Sequence, residues 1–264
     1  MKNNVEMSWL LVLRLAAHDL RTRALGSMFG FAWSFVQPFV MTVILWFVFA
    51  LVANAGAIRG VPFLAWLLAG MSVWSFFSEA LNQATGVFCE YAFMARKVNF
   101  QLVILPPVKI FAALAVHLVF LFIVAVVLLL NGIPISRHWL GVLYYLFAAV
   151  VLLSGLSYIT AGLHVFLRDV GQMVNVALQF GFWITPVFWD FGMLPLKDHP
   201  FLVFILRLNP MVYIVEGYRN SLLFSSPFAS GWGEAVYFWG IASGLLGLGA
   251  LLFRKLRPQF ADVL

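Results

Sequence analysis

Long apolar stretches alternate with short polar intervals along this chain, and the intervals carry most of the charge. The stretches at 31–54, 61–85, 106–130, 139–166, 172–188 and 235–253 are each close to the ~20 residues that a helix needs to cross hydrocarbon. The pattern therefore predicts six membrane-spanning helices. Pro38 falls inside the first, a position that spanning helices tolerate because neighbouring helices can cover the freed backbone. Asn131, Gly132 and Pro134 supply a turn between the third and fourth, and Arg168 and Asp169 close the fourth.

Two segments break the pattern. Residues 1–30 contain an amphipathic helix over 5–25, with Trp9, Val12, Leu13, Ala16, Ala17 and Leu20 on one face and Arg14, His18 and Arg21 on another. These charges argue against a span and for a helix lying in the membrane interface. An ordinary helix packed on the rest of the protein is the alternative. Residues 189–232 contain apolar runs such as FLVFILRL, but Asp190, Lys197, Asp198, Arg207, Glu216, Arg219 and four prolines interrupt them. No window of ~19 residues crosses cleanly there. Two short re-entrant helices are predicted instead, since such backbone is stable at depth only where protein or a wet cavity covers it.

Composition points the same way. The 264 residues are 64% hydrophobic and 10% charged, against about 45–50% and about 25% in a soluble domain. Mean hydropathy is +1.00. The fold class expected is a single all-α polytopic membrane domain. The net charge of +6 does not imply nucleic acid, because the basic residues flank the spans, as topology signals and lipid-headgroup contacts do. With the N-terminus inside, eleven lysines and arginines fall inside and five outside. That bias places both termini and the interval 86–105 in the cytoplasm. A full crossing by 199–218 would send Arg254, Lys255 and Arg257 outside, so the count also favours the re-entrant reading. No signal peptide is expected, because Arg14, His18 and Asp19 would lie in its apolar core. The single cysteine, Cys89, excludes an internal disulfide framework.

No phosphate-binding G-x-x-x-x-G-K-[ST] loop and no H-E-x-x-H occur, and the five histidines lack metal-ligand spacing. No catalytic residue, metal or cofactor is expected in this chain. Intramembrane acid is sparse: Glu79 in the second span and Glu216 in the re-entrant segment, neither with an evident partner. Such residues drive ion-coupled transport, so an ion-coupled lipid-linked sugar flippase working without an ATPase is the competing reading. Aromatic residues are abundant, with 28 Phe, 10 Trp and 7 Tyr. Phe35, Phe39, Trp46 and Phe49 fall near one face of the first span with Thr42. Phe180 and Trp183 share one face of the fifth, and Phe182, Pro186 and Trp189 another. Lipid contact and helix packing account for such faces; so does a channel wall on which sugar rings slide. The interval MARKVNFQL is basic and amphipathic, suited to lipid headgroups or to a helix seated in a partner's groove through Phe93, Met94, Val98 and Phe100.

Read in order, LRTRALGSMFGFAWSFVQPF, LLAGMSVWSFFSEAL, ARKVNFQLVILPPVK, FLRDVGQ, FWITPVFW and LNPMVYIVEGYRNSLL resemble the membrane subunits of polysaccharide ABC exporters. The resemblance covers nearly the whole chain. It implies six spans, an N-terminal interface helix and two outward-side re-entrant helices. It implies a homodimer in the bacterial inner membrane, working with two copies of a separate cytoplasmic ATPase that binds ATP and Mg. The implied substrate is a lipid-linked polysaccharide, foremost the O-antigen of lipopolysaccharide. Arg96, Lys97, Val98, Asn99 and Phe100 would then dock in the ATPase. Phe35, Phe39, Trp46, Phe180 and Trp183 would line the channel, and Arg14, Arg21 and Arg23 would receive the phosphate of the lipid carrier. Gln101 stands where the family usually has proline, so the third span is expected to begin differently. The segment before the first span is nearer the O-antigen and teichoic-acid branch than the capsule branch.

Overall fold

The computed structural model describes residues 2–24, 32–52, 54, 56–95, 101–192, 200–224 and 231–263. Its elements are helical, and the only pairing of extended backbone among the described residues is a single bridge between Ile58 and Val61. Helix α1 (Lys2–Ala24) precedes α2 (Trp33–Trp46), which a π-helical turn continues through Phe47–Val52. Then come α3 (Phe63–Thr85), the short α4 (Val87–Glu90) and α5 (Ala92–Ala95), α6 (Leu105–Leu130), α7 (Gly141–His164) and α8 (Asp169–Ile184). The chain ends with α9 (Pro200–Arg207), α10 (Pro210–Leu222), α11 (Trp232–Leu256) and α12 (Phe260–Val263).

Helix limits follow local chemistry. Gln101 is non-helical (φ −85°, ψ 86°), and a 3₁₀ turn over Leu102–Ile104 leads into α6. Two prolines then occupy the first turn of α6, where their fixed φ favours helix and their missing N–H costs nothing. Gly132 at φ +78° ends α6, with the Ile133 and Gly132 amides donating to the carbonyls of Leu128 and Leu129, each at 3.0 Å. Helix α8 stops at Ile184 because Thr185 precedes Pro186 and turns extended (ψ 137°). The apolar stretch expected at 172–188 is thus helical only in part. At 16 residues, α8 spans about 24 Å.

Among the described residues, five stretches are long and apolar enough to cross a membrane: Trp33–Val52, Phe63–Thr85, Leu102–Leu130, Arg137–His164 and Trp232–Gln259. Helices α9 and α10 meet at 85°, and would make a sixth if they acted as one span. The molecule is an all-α polytopic membrane protein.

Contacts at two levels align the helix ends. At one level Arg59, before α3, pairs with Asp190, after α8, and with Glu216 of α10. Arg207 of α9 pairs there with Glu234 at the start of α11. At the other level Lys109 near the start of α6 pairs with Asp19 of α1 and Glu90 of α4. Phe88, Phe253 and Phe260 cluster at that level, and Phe166, just before α8, contacts Phe260. Helix α8 therefore runs from the Lys109 level to the Arg59 level, and α11 runs back. The bend between α9 and α10 stays near the Arg59 level, where the Tyr237 hydroxyl of α11 donates to the Leu208 carbonyl at 2.8 Å.

Helix α3 is the hub: 78% of its spanning window is buried, and it packs on α2, α6, α7, α8 and α10. Helix α2 is the opposite case, with only 11% of its window buried. Helices α7 and α11 approach closely at Gly155 and Gly249. A Cβ at Gly249 would lie 2.6 Å from the Gly155 carbonyl oxygen, and one at Gly155 would lie 2.7 Å from backbone atoms of Leu245 and Leu246. Small residues permit such backbone approach between membrane helices. Gly155→Ala and Gly249→Ala are each expected to cost about 1–3 kcal/mol, read as a lower unfolding temperature in detergent. Gly162→Ala, whose Cβ would sit 3.6 Å from Leu256 Cδ1, is expected to leave it unchanged.

Candidate functional site

The Arg59 level is built on a tight turn. Ile58 and Val61 exchange two backbone hydrogen bonds of 2.9 Å, and Arg59 (φ 48°) and Gly60 (φ +82°) occupy the corner. Positive φ at both central residues is the geometry of a type I′ turn. Arginine adopts it at some strain, and here two ion pairs hold it. Arg59 grips Asp190 in a two-point fork, with Nε 3.3 Å from Oδ2, and reaches Glu216 at 3.4 Å. The backbone amide of Gly192 also donates to Asp190.

Arg219 completes this cluster and has no exposed side-chain surface. It donates to the Val187 carbonyl at 2.6 Å and to Glu216 at 2.8 Å. Its guanidinium lies 3.9 Å from the centre of the Trp66 ring, and that of Arg59 lies 5.3 Å away. At Gly70 a side chain would strike this assembly, with a Cβ 2.5 Å from the Val187 oxygen and 2.9 Å from Arg219. Asn209 fixes the α9–α10 corner. Its side-chain oxygen accepts from the Met211 amide, and its amide nitrogen donates to Thr185 Oγ1 at 2.8 Å. Helix α10 is thereby capped and tied to the end of α8.

The Lys109 level is a second buried ion cluster. Lys109 is 3% exposed and holds Asp19 and, at 2.7 Å, Glu90, with its ammonium 5.5 Å from the Tyr91 ring centre. Around it Val12 and Ala16 of α1 pack on Ile104, Val108 and Ala112. Cys89 is exposed beside this cluster. Partial burial raises its thiol pKa, and the Arg168 charge opposes that shift.

The structure corrects the expectation that Glu79 and Glu216 lack partners. Glu216 is bonded to two arginines, and Glu79 accepts from Gln83 at 2.8 Å. Sequence reasoning also missed Asp19, Arg59, Lys109 and Asp190 as paired charges. Glu216 and Arg219 stand at the i, i+3 spacing at which helical side chains meet, a signal visible in the sequence. The pairings of Arg59 across 131 and 157 residues carry no local signal.

Helix α1 packs one stripe on α6 and leaves Leu10, Leu11, Leu13, Arg14 and Arg21 exposed. Arg23 lies in its last turn. The aromatic residues of α2 divide. Phe35 and Phe49 pack on the core, and Phe49 contacts Phe63 and Phe188. Phe39 and Trp46 are exposed. On α8, Phe180 and Trp183 are exposed, whereas Phe182 is buried against Trp74 and Phe188. Arg96, Lys97, Val98, Asn99 and Phe100 lie outside the described residues, as do Lys197 and Asp198. Helices α4 and α5 lead up to the first of these segments. Among the described residues no three His, Cys, Asp or Glu side chains converge as a metal site would require.

Residues 11–223, from α1 to just past α10, match the family described as ABC-2 type transporter. The chain is 25% identical over its full length to an O-antigen export system permease protein RfbA of Klebsiella pneumoniae, covering 98% of that protein. A second Klebsiella pneumoniae protein of the same name is 24% identical with the same coverage. One of that name from Myxococcus xanthus is 26% identical over 79% of this chain and 78% of its own length.

Proposed function

The chain belongs to the ABC-2 type transporter family, and from that premise we propose that it is the permease subunit of an ATP-driven exporter of lipid-linked O-antigen in the bacterial inner membrane. The observation that carries this reading is end-to-end similarity to two proteins named as O-antigen export permeases. In this reading a separate ATPase supplies the hydrolysis of ATP, and two copies of each subunit form the exporter.

In this reading the Lys109 level is cytoplasmic, as the distribution of lysine and arginine favours. Helix α8 is the fifth crossing and α9–α10 the re-entrant pair. Arg96 to Phe100 dock in the ATPase, and movement there passes to α3 and α6, which flank the segment. Arg14, Arg21 and Arg23 receive the carrier phosphate at the inner leaflet. Support for a homodimer comes from α2, which has little of its own surface covered. A second copy meeting α2 and α8 would enclose a passage with Phe39, Trp46, Phe180 and Trp183 on its walls and Phe35 at its edge. Flat rings suit a moving glycan, because stacking on C–H faces fixes no hydrogen-bond register.

Affinity purification of the tagged chain from its host is expected to bring down an ATPase. Lys97→Glu combined with Phe100→Ala is expected to lose that ATPase and the surface polymer while the chain stays in the membrane. Retention of both would remove the docking assignment, and export that persists without ATP hydrolysis would replace the proposal with an ion-coupled flippase.

A further inference from the structure

Between α9, α10 and the start of α11 lies a cavity of about 390 Å³, within the ~300–1,000 Å³ range of small-molecule sites. None of the residues assigned above to channel, docking or phosphate binding lines it. Its charged walls are Arg59 and Arg207, Glu216 and Glu234. Asp190 and Arg219 adjoin them, giving three cations and three carboxylates, and each carboxylate is bonded to an arginine. The three cations and three carboxylates balance, so the walls carry no net charge that would select an anion or a cation.

What the walls offer instead is a ring of hydrogen-bonding groups around aromatic surface. A carboxylate bonded to arginine keeps further lone pairs that accept from hydroxyls, and such charge-assisted bonds are the strong ones. Tyr237 is 38% exposed, and its bond to the Leu208 carbonyl fixes the ring at the cavity wall. Phe191 lies beneath the Arg207 guanidinium at 5.4 Å. Arg207 and Glu234 bridge α9 to α11 at 3.4 Å, with both side chains about half exposed. Such a solvated pair is weakly held, so hydroxyl groups can replace it when a ligand arrives.

A neutral molecule with hydroxyls around its rim and a flat C–H face fits these walls. We infer that this cavity binds a neutral saccharide, one or two sugar units in size, through Glu216, Glu234, Arg207 and the Tyr237 ring. The inference rests on the glycan-export reading and adds a sugar-binding station at the Arg59 end of the path. It is separate from any rings that line the passage itself.

The test is saturation-transfer NMR on the full-length chain in lipid nanodiscs. The probes are free D-glucose, D-galactose, D-mannose, L-rhamnose and N-acetyl-D-glucosamine, with inorganic phosphate as competitor. At least one sugar is expected to show transfer that phosphate does not displace. Tyr237→Ala is expected to weaken that sugar about fivefold, the worth of a lost aromatic contact, and Glu234→Gln is expected to weaken it also. Tyr237→Phe keeps the ring and retains most of the signal, which separates stacking from misfolding. Transfer from none of the sugars, transfer unaltered in Tyr237→Ala and Glu234→Gln, or displacement by phosphate would each overturn the site. Loss of surface polymer on deleting the chain, with no sugar signal, removes this site and keeps the export reading. A sugar signal with unchanged surface polymer does the reverse.

Discussion

Lys109→Met is expected to destabilise the protein by about 3–5 kcal/mol, because it takes the ammonium away from a buried ion pair. The side chains of Lys109 and Asp19 are each 4% exposed, so water cannot take over when the ammonium is removed. Glu90 in the same cluster is 51% exposed, and Glu90→Gln alone is expected to cost no more than about 1 kcal/mol. The double variant Asp19→Asn with Lys109→Met removes both buried charges and is expected to recover most of the loss. Thermal unfolding of the four proteins in nanodiscs checks this. A double variant as unstable as Lys109→Met would show that lost packing of the lysine stem, not the broken ion pair, sets the cost.

Arg219→Met is the second large effect, expected at a similar ~3–5 kcal/mol. The guanidinium, itself without exposed surface, bonds the Val187 carbonyl and Glu216 and stacks on the buried Trp66. Its loss leaves that carbonyl unsatisfied where no solvent reaches. Arg219→Lys is expected to rescue little, since a point-charge ammonium cannot fork to two acceptors and stack as well. Arg59→Met should cost less, because Arg59 is 42% exposed and its pairs are partly solvated. Stabilities of Arg219→Lys and Arg219→Met, measured against Arg59→Met, check the order. Equal losses for the two arginines would contradict the burial argument.

The apolar pattern made the helical class legible, because about 20 apolar residues per crossing is a strong and local signal. Helix limits were less so. The end of α8 depends on Thr185 preceding Pro186, a rule readable in the sequence but submerged in an apolar run. On α1, Val12 and Ala16 are buried as the periodicity implies, whereas Leu13 is 54% exposed. Asp19 lies seven residues after Val12 and three after Ala16, on the packed stripe, and that register was the available sign of a buried acid. Its partner Lys109 lies 90 residues away, beyond any local rule. The aromatic face of α2 was only half legible. Helical spacing groups Phe35, Phe39, Trp46 and Phe49, but packing against α3 and the end of α8 buries some and exposes the others.

Cys89 can report whether the Lys109 end of the bundle faces the cytoplasm, where an ATPase can dock. It is the single cysteine of the chain and is exposed beside Glu90, so a membrane-impermeant maleimide reads its side without any substitution. The raised thiol pKa means that labelling should quicken as pH rises above neutrality, since the thiolate is the reactive form. Labelling is expected in inside-out vesicles, with none in intact spheroplasts. Labelling of Cys89 in intact spheroplasts would place this end outside and contradict the cytoplasmic assignment.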